Sequence, residues 1–306
     1  MLSRIAEAMF WIGRYVERAE ATTRMLIEHH QLLVEDTRLD PAVGVEAMLQ
    51  ALSLMPADPE PGALTPAALI QIVVGESADP KTVLGSVAAA RENARTIREA
   101  LPIGMFERMN ATHLRMQAGI STTIPGIPLS GLLDELSVVV GIIDWQMPRD
   151  EGLVFLRLGA ALERLDMTSR LLAIDHEGLW PQVGAVTALR AAGGFNPFLR
   201  TQRALTGEQV HAFLLLDPTF PRSTLQTAIR AERAVRQMGT YVSAQQTSTL
   251  LRTVGILRAE LEFASVNPTP ADLELLSARA SEAAFVASDA VAGAFFRQAG
   301  TIVWSH

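Results

Sequence analysis

Cysteine is absent from the 306 residues, which excludes disulfides, thiolate metal ligands and thiol nucleophiles and suits a reducing compartment such as the cytoplasm. Also missing is any charge-free apolar stretch of the roughly 18 residues that a membrane-spanning helix needs. The best run, around Leu136 to Ile143, is less than half that length. The opening MLSRIAEAMFWIGRYVER reaches charged residues at once and lacks the apolar core and small-residue cleavage site of a secretory signal. A cytoplasmic chain with no membrane partner is the expectation. An excess of positive charge is lacking too: 26 basic against 33 acidic residues leave a net charge of -7, which offers nucleic-acid phosphates no overall attraction.

Strand signals are equally scarce. Alternating runs closed by Asn-Gly or Asp-Gly turns do not occur, and the valine-rich pieces around Val73 and Val138 are too few for a sheet and read equally well as buried helix. Familiar catalytic and cofactor motifs are missing: there is no Gly-x-Ser-x-Gly elbow, no Gly-x-Gly-x-x-Gly turn and no His-Glu-x-x-His helix. The stretch GESADPKT from Gly75 superficially resembles a phosphate-binding loop, but Pro80 stands where the second glycine should be, removing a backbone donor and forbidding positive φ. No cofactor is therefore called for.

What is present is enough apolar material, 49% of residues, for a sizeable core. Ser3 is a plausible N-cap for a long first helix reaching about Val34, with Ile5, Met9, Ile12, Val16, Ala19, Thr23 and Leu26 at helical spacing. Phe10, Trp11, Tyr15 and Met25 fall off that stripe, so the helix is expected to be central and packed on several sides. Breaks follow at Asp40-Pro41, Met55 to Gly62, Asp79-Pro80, Ile124 to Pro128, Pro148 and Gly193 to Pro197, with helical segments between them. The fold class is all-α, a large helical bundle.

Internal comparison carries the most information. GRYVERAEATTRML from Gly13 aligns without gaps with GAALERLDMTSRLL from Gly159, an offset of 159 − 13 = 146 that pairs Glu17 with Glu163, Arg18 with Arg164 and Arg24 with Arg170. A second echo matches PKTVL from Pro80 with PRSTL from Pro221, an offset of 221 − 80 = 141. Each is expected to open a helix with proline in its first turn. One domain is read, built of two pseudo-repeated halves, about 1–146 and 147–306.

The repeated charges are the candidate site. Neighbours on a helix point about 100° apart, so Glu17 and Arg18 must find other partners. Arg14 is within reach of Glu17 one turn on, and Arg24 is within reach of Glu20; Asp166 and Arg170 keep the latter spacing. Ala160 replaces Arg14 in the second half, which leaves Glu163 to look across to another helix. These charges could form interhelical salt bridges that set the register of the bundle. Alternatively, Glu17, Arg18, Glu163 and Arg164 could line one polar pocket for an anion or a metal. His30 and His176 share the 146 offset and read as helix-end dipole partners rather than ligands. Only one Glu-x-x-His motif occurs, Glu208 to His211, against the two that a di-iron bundle needs. No metal site is expected.

The blocks MLSRIAEAMFWIGRYVERAEATTRML, ARENARTIREAL, GLVFLRLGAALERL and FLLLDPTFPRS together resemble the alpha-E domain family of bacteria, over nearly the whole chain. The resemblance implies an all-helical fold. It also implies gene neighbours of two kinds, a circularly permuted ATP-grasp protein and a transglutaminase-like protein, in a proposed peptide-forming or peptide-tagging system. ATP-grasp enzymes join carboxylates to amines. The family's charged motif falls here on Arg4, Glu7, Arg14, Glu17 and Arg18, and on Glu163 and Arg164 in the second half; Ala160-Ala161 stand where relatives often carry arginine. Two expectations follow. One is an accessory partner that binds the ATP-grasp ligase or its substrate. The other is an enzyme that handles an amino-acid or peptide substrate in a Glu/Arg-lined pocket.

Overall fold

The computed structural model describes residues 3–36, 38–75, 78–119, 126–174, 176–181, 183–264 and 267–296. Of the segments singled out above, Glu76 and Ser77 of the GESADPKT stretch and Ile124-Pro125 of the proline run lie outside these residues. Among the described residues there are helices and no strands.

Helix α1 (Ser3–Glu35) is followed by α2 (Pro41–Ala51), α3 (Pro66–Val74), α4 (Val83–Thr96), α5 (Ile103–Gln117) and α6 (Gly126–Gln146). The chain continues through α7 (Glu151–Leu172), the short α8 (His176–Leu179), α9 (Gly184–Ala191), the short α10 (Phe195–Leu199), α11 (Gly207–Leu216), α12 (Thr224–Met238), α13 (Ala244–Glu262) and α14 (Pro270–Val291), ending in a π-helical turn at Ala292–Phe296. The valine-rich pieces are helical, with Val73 buried in α3 and Val138 exposed on α6.

Side-chain caps set most helix starts. Asp40 accepts the N–H of Ala42 ahead of Pro41, Thr65 accepts that of Ala68 ahead of Pro66, and Asp150 accepts those of Gly152 and Leu153. Proline in the first turn has no N–H to leave unsatisfied, so cap and proline reinforce each other. The two echoed prolines behave differently from the sequence expectation. Pro80 and Pro221 precede the caps rather than opening the helices, because Thr82 and Ser223 take the cap position and accept N–H bonds from Gly85 and Gln226. Ser3 likewise is the first helical residue, and its hydroxyl donates to the Phe295 carbonyl instead of capping α1.

The core surrounds α1 and α7. Helix α1 packs against α4 and α6, α7 packs against α12 and α14, and the outer pairs α4–α5, α5–α6, α12–α13 and α13–α14 close each side. Phe10, Ile12, Met25 and Leu26 of α1 and Phe155, Leu158, Leu162 and Leu165 of α7 are all buried. A helix whose apolar residues lie on several faces loses water only by being covered on all of them.

Where α1 crosses α7 the backbones nearly touch. A Cβ added at Gly13 would lie 2.0 Å from the Leu156 carbonyl oxygen, and one added at Gly159 would lie 2.1 Å from the Phe10 carbonyl oxygen. Any other residue at either position would push the helices apart. This approach brings the charged turns that follow each glycine within reach of one another.

Candidate functional site

One turn beyond the glycines, the two Glu-Arg dipeptides exchange partners. Arg164 on α7 donates from Nε and Nη2 to the two carboxylate oxygens of Glu17 on α1, at 2.7 and 2.5 Å. Arg18 on α1 donates from Nε and Nη2 to the carboxylate of Glu163 on α7, at 2.5 and 3.1 Å. Each pair has the two-pronged geometry that suits a planar guanidinium against a carboxylate. Both acids are buried, Glu163 completely and Glu17 to within 4% of exposure.

The flanking charges complete a network. Arg14 turns away from Glu17 and crosses to Glu163 at 2.6 Å, its side chain passing Gly159, where an added Cβ would lie 3.3 Å from Arg14 Cγ, and it also donates to the Ser288 hydroxyl on α14. Arg222, just before the Ser223 cap of α12, donates to Glu20 at 2.8 Å and to Glu17 at 3.3 Å. The i,i+4 pairs Arg24–Glu20 and Arg170–Asp166 form at 3.0 and 2.8 Å. Burial alone would raise the Glu17 pKa, but the guanidinium groups of Arg164 and Arg222 outweigh it and hold the carboxyl below its ordinary range. Glu17 is a committed anion, and a carboxylate so held is a poor proton acceptor near neutral pH.

Of the residues singled out from the sequence, Arg14, Glu17, Arg18, Glu163 and Arg164 come together in this network. Arg4 is exposed and Glu7 half-buried, and at a rise of 1.5 Å per residue they lie about 15 and 10 Å along α1 from Arg14. Neither takes part in the exchange.

The FLLLDPTFPRS block serves the same network from α11 and the loop that follows it. Phe213 stacks on Phe220 with ring centroids 5.0 Å apart. Asp217 accepts the backbone N–H groups of Thr219 and Phe220, each at 2.9 Å. Ser223 donates to the Asp217 carbonyl at 2.6 Å while capping α12. These contacts fix the turn that delivers Arg222 to α1.

Sequence spacing pointed to His30 as the match of His176, but it is His29 that meets it. His29 Nδ1–H donates to the Met25 carbonyl at 2.8 Å, so in the neutral ring its Nε2 is an acceptor, and it faces His176 Nε2 at 2.8 Å. The proton between the rings therefore belongs to His176, whose Nδ1 is buried and has no partner in hydrogen-bonding geometry among the described residues. Burial pushes the His29 pKa down to about 4 and that of His176 well below its usual value, with His29 and His211 adding to the latter. The spacing missed this pair because α8 is offset from the helix register by the turn that ends α7.

Two sizeable cavities adjoin α7. One of about 840 Å³ lies near its C-terminal end and is lined by Asp166, Arg170, His176, Trp180, Glu208 and His211 among others. The other, about 500 Å³, lies beside the glycine crossing and is lined by Glu17 and Arg164 together with residues of α6 and α12. Glu163 is not exposed to it. Among the described residues no cluster of His, Asp or Glu has the composition of a metal site.

Fold and site together define an all-helical domain closed by Glu-Arg dipeptides that pair across two central helices. The chain belongs to the Alpha-E family, described as a predicted alpha-helical domain with a conserved ER motif, whose profile matches residues 1–296. No curated relative and no solved structure matches it. Among the described residues no helix is long and apolar enough to cross a membrane.

Proposed function

We propose that this protein is a non-catalytic helical partner of an ATP-grasp amide-bond-forming system for peptide ligation or tagging, binding the ligase or its substrate. The observation that carries this reading is the reciprocal exchange between Glu17–Arg164 and Glu163–Arg18. The groups a Glu/Arg active site would use are spent on each other, with both carboxylates buried and Glu17 held below its ordinary range. Buried, fully hydrogen-bonded ion pairs specify how elements fit together more than they perform chemistry. In this reading the Glu-Arg motif holds the scaffold, and the partner surfaces lie outside it. A circularly permuted ATP-grasp protein is the first partner and a transglutaminase-like protein the second, both in the cytoplasm.

The same reading takes the chain as one domain that arose by internal duplication. Its support is the matched order of helices, with α1 and α7, α4 and α12, α5 and α13, and α6 and α14 making corresponding contacts. The matched glycines at 13 and 159 support it further.

Co-purification tests the partnership. The full-length chain and the ATP-grasp protein encoded beside it should elute together at micromolar concentrations in the presence of ATP and magnesium. Separate elution under all nucleotide conditions overturns the proposal. The competing reading, an enzyme working through Glu17 and Glu163, requires Glu17→Gln to abolish pathway output in a variant that still folds.

A further inference from the structure

The two sides of the α1–α7 crossing are built alike but filled differently. Under the 146 offset, Trp11 and Tyr15 of α1 correspond to Arg157 and Ala161 of α7. On the first side Trp11 and Tyr15 stack with centroids 5.4 Å apart and carry Arg14 and Arg18 over their rings at 5.8 and 5.9 Å. On the second side the small Ala160 and Ala161 fill nothing, and the 500 Å³ cavity stands open where the aromatic stack would be. That volume falls within the range of small-molecule sites.

The charge around the cavity is also one-sided. Under the 141 offset, Arg230 and Arg233 of α12 correspond to Ala89 and Glu92 of α4. Both arginines are exposed lining residues, and neither forms a hydrogen bond or direct ion pair among the described residues. Burial lowers the pKa of Arg230, and the like charges of Arg164 and Arg233 add to it against the opposing pull of Asp144 and Glu17. Deeper in, Arg164 uses Nε and Nη2 on Glu17, and Nη1 has no acceptor among the described residues. Of the acids in the wall, Glu17 is occupied by Arg164 and Arg222, and Asp144 by Arg157 at 2.9 Å. Between the charges the wall is aliphatic, from Ile143 on α6 and Leu156 on α7.

We propose that this cavity binds an organic dicarboxylate with an aliphatic body, one carboxylate held by Arg230 and Arg233 and the other by Arg164. Residues three apart on a helix lie side by side, so the two mouth guanidinium groups can share one carboxylate. The methylene chain packs on Ile143 and Leu156, a surface that an inorganic anion would not use. The site stands apart from the ligase partnership, because it is complete within this chain.

Titration calorimetry of the isolated full-length chain with adipate, its neutral isostere adipamide and inorganic phosphate tests the assignment. Adipate should bind saturably at one site, more tightly than phosphate, and adipamide should not bind. The double variant Arg230→Ala/Arg233→Ala, whose side chains hold nothing else in place, should keep its melting temperature and bind adipate about tenfold more weakly or worse. Ala161→Tyr, which restores the bulk found at Tyr15, should block binding, while Arg203→Ala at a distant exposed site should leave it unchanged. Absence of saturable adipate binding at millimolar concentration, equal binding of phosphate, or undiminished binding by the double variant would overturn the proposal. None of these outcomes depends on whether an ATP-grasp partner is found.

Discussion

Glu17 and Arg164 are joined by two hydrogen bonds of 2.7 and 2.5 Å, and the converse pair, Arg18 with Glu163, lies one residue further along α1 and one residue back along α7. Neither dipeptide can satisfy itself, since adjacent residues on a helix diverge by about 100°. Each is completed by the other only when α1 and α7 are in a single register. A slip by one residue would leave four buried or half-buried charges unpaired, so the exchange selects one packing of the two central helices.

Glu17→Gln and Glu163→Gln should each lower stability by about 3–5 kcal/mol, the cost of leaving a buried guanidinium without its counter-charge. Urea denaturation read by circular dichroism measures it. Glu163→Gln should be the worse, because Glu163 is fully buried and serves both Arg14 and Arg18. In a double-mutant cycle, Glu17→Gln with Arg164→Met should show a coupling of about 1–3 kcal/mol. Strictly additive losses would mean that the pair does not act as a unit.

Gly13→Ala and Gly159→Ala should each cost about 3 kcal/mol or more, since the new methyl group meets a backbone carbonyl at 2.0 or 2.1 Å and rigid helices must separate. Gly131→Ala on α6, where a Cβ meets nothing within 4 Å, should instead stabilise by about 0.5–1 kcal/mol through helix propensity. Melting temperatures of the three variants distinguish close approach from a general intolerance of alanine.

Stability should fall as pH drops from about 6.5 toward 4. His29 titrates near 6.5 when unfolded and near 4 in the folded chain, so its contribution is complete above 6.5 and is lost as pH falls through the folded value, because only the unfolded chain takes up the proton in that window. The full difference is about 3 kcal/mol, of which about 2 kcal/mol should be gone at pH 5. His176, lowered in the same direction, adds to the loss. Below pH 4.5 Glu17 extends the decline, its carboxylate being held below the ordinary range. Urea midpoints at pH 7.5 and 5.0 measure this, and His29→Leu should flatten the slope.

Asp217→Ala should destabilise by about 2 kcal/mol, because the N–H groups of Thr219 and Phe220 lose their shared acceptor, the buried Asp217 carboxylate. It should also loosen the position of Arg222. Hydrogen exchange should therefore rise in the segment from 217 to 224 more than in α12 as a whole. Uniform exchange across α12 would show that the turn does not position the arginine.

The helical class and the central place of α1 were legible in the amino-acid order. Spacing is a local property, and Phe10, Trp11, Tyr15 and Met25 off the main stripe already required cover on several faces. The candidate charges were legible as well, because the match of Glu17-Arg18 with Glu163-Arg164 needs no coordinates. Their partners were not. Arg14 was within reach of Glu17 along the helix yet crosses to Glu163, a choice made by the space that Gly159 leaves for its side chain and by the approach of Gly13 to Leu156. His29 rather than His30 meets His176 because the turn after α7 shifts the register. The cavity beside Arg164 exists because Ala161 stands opposite the place that Tyr15 fills on the other side. Helical periodicity reports which residues share a face of one helix; which face meets which across the chain depends on volumes and charges contributed by segments more than a hundred residues apart.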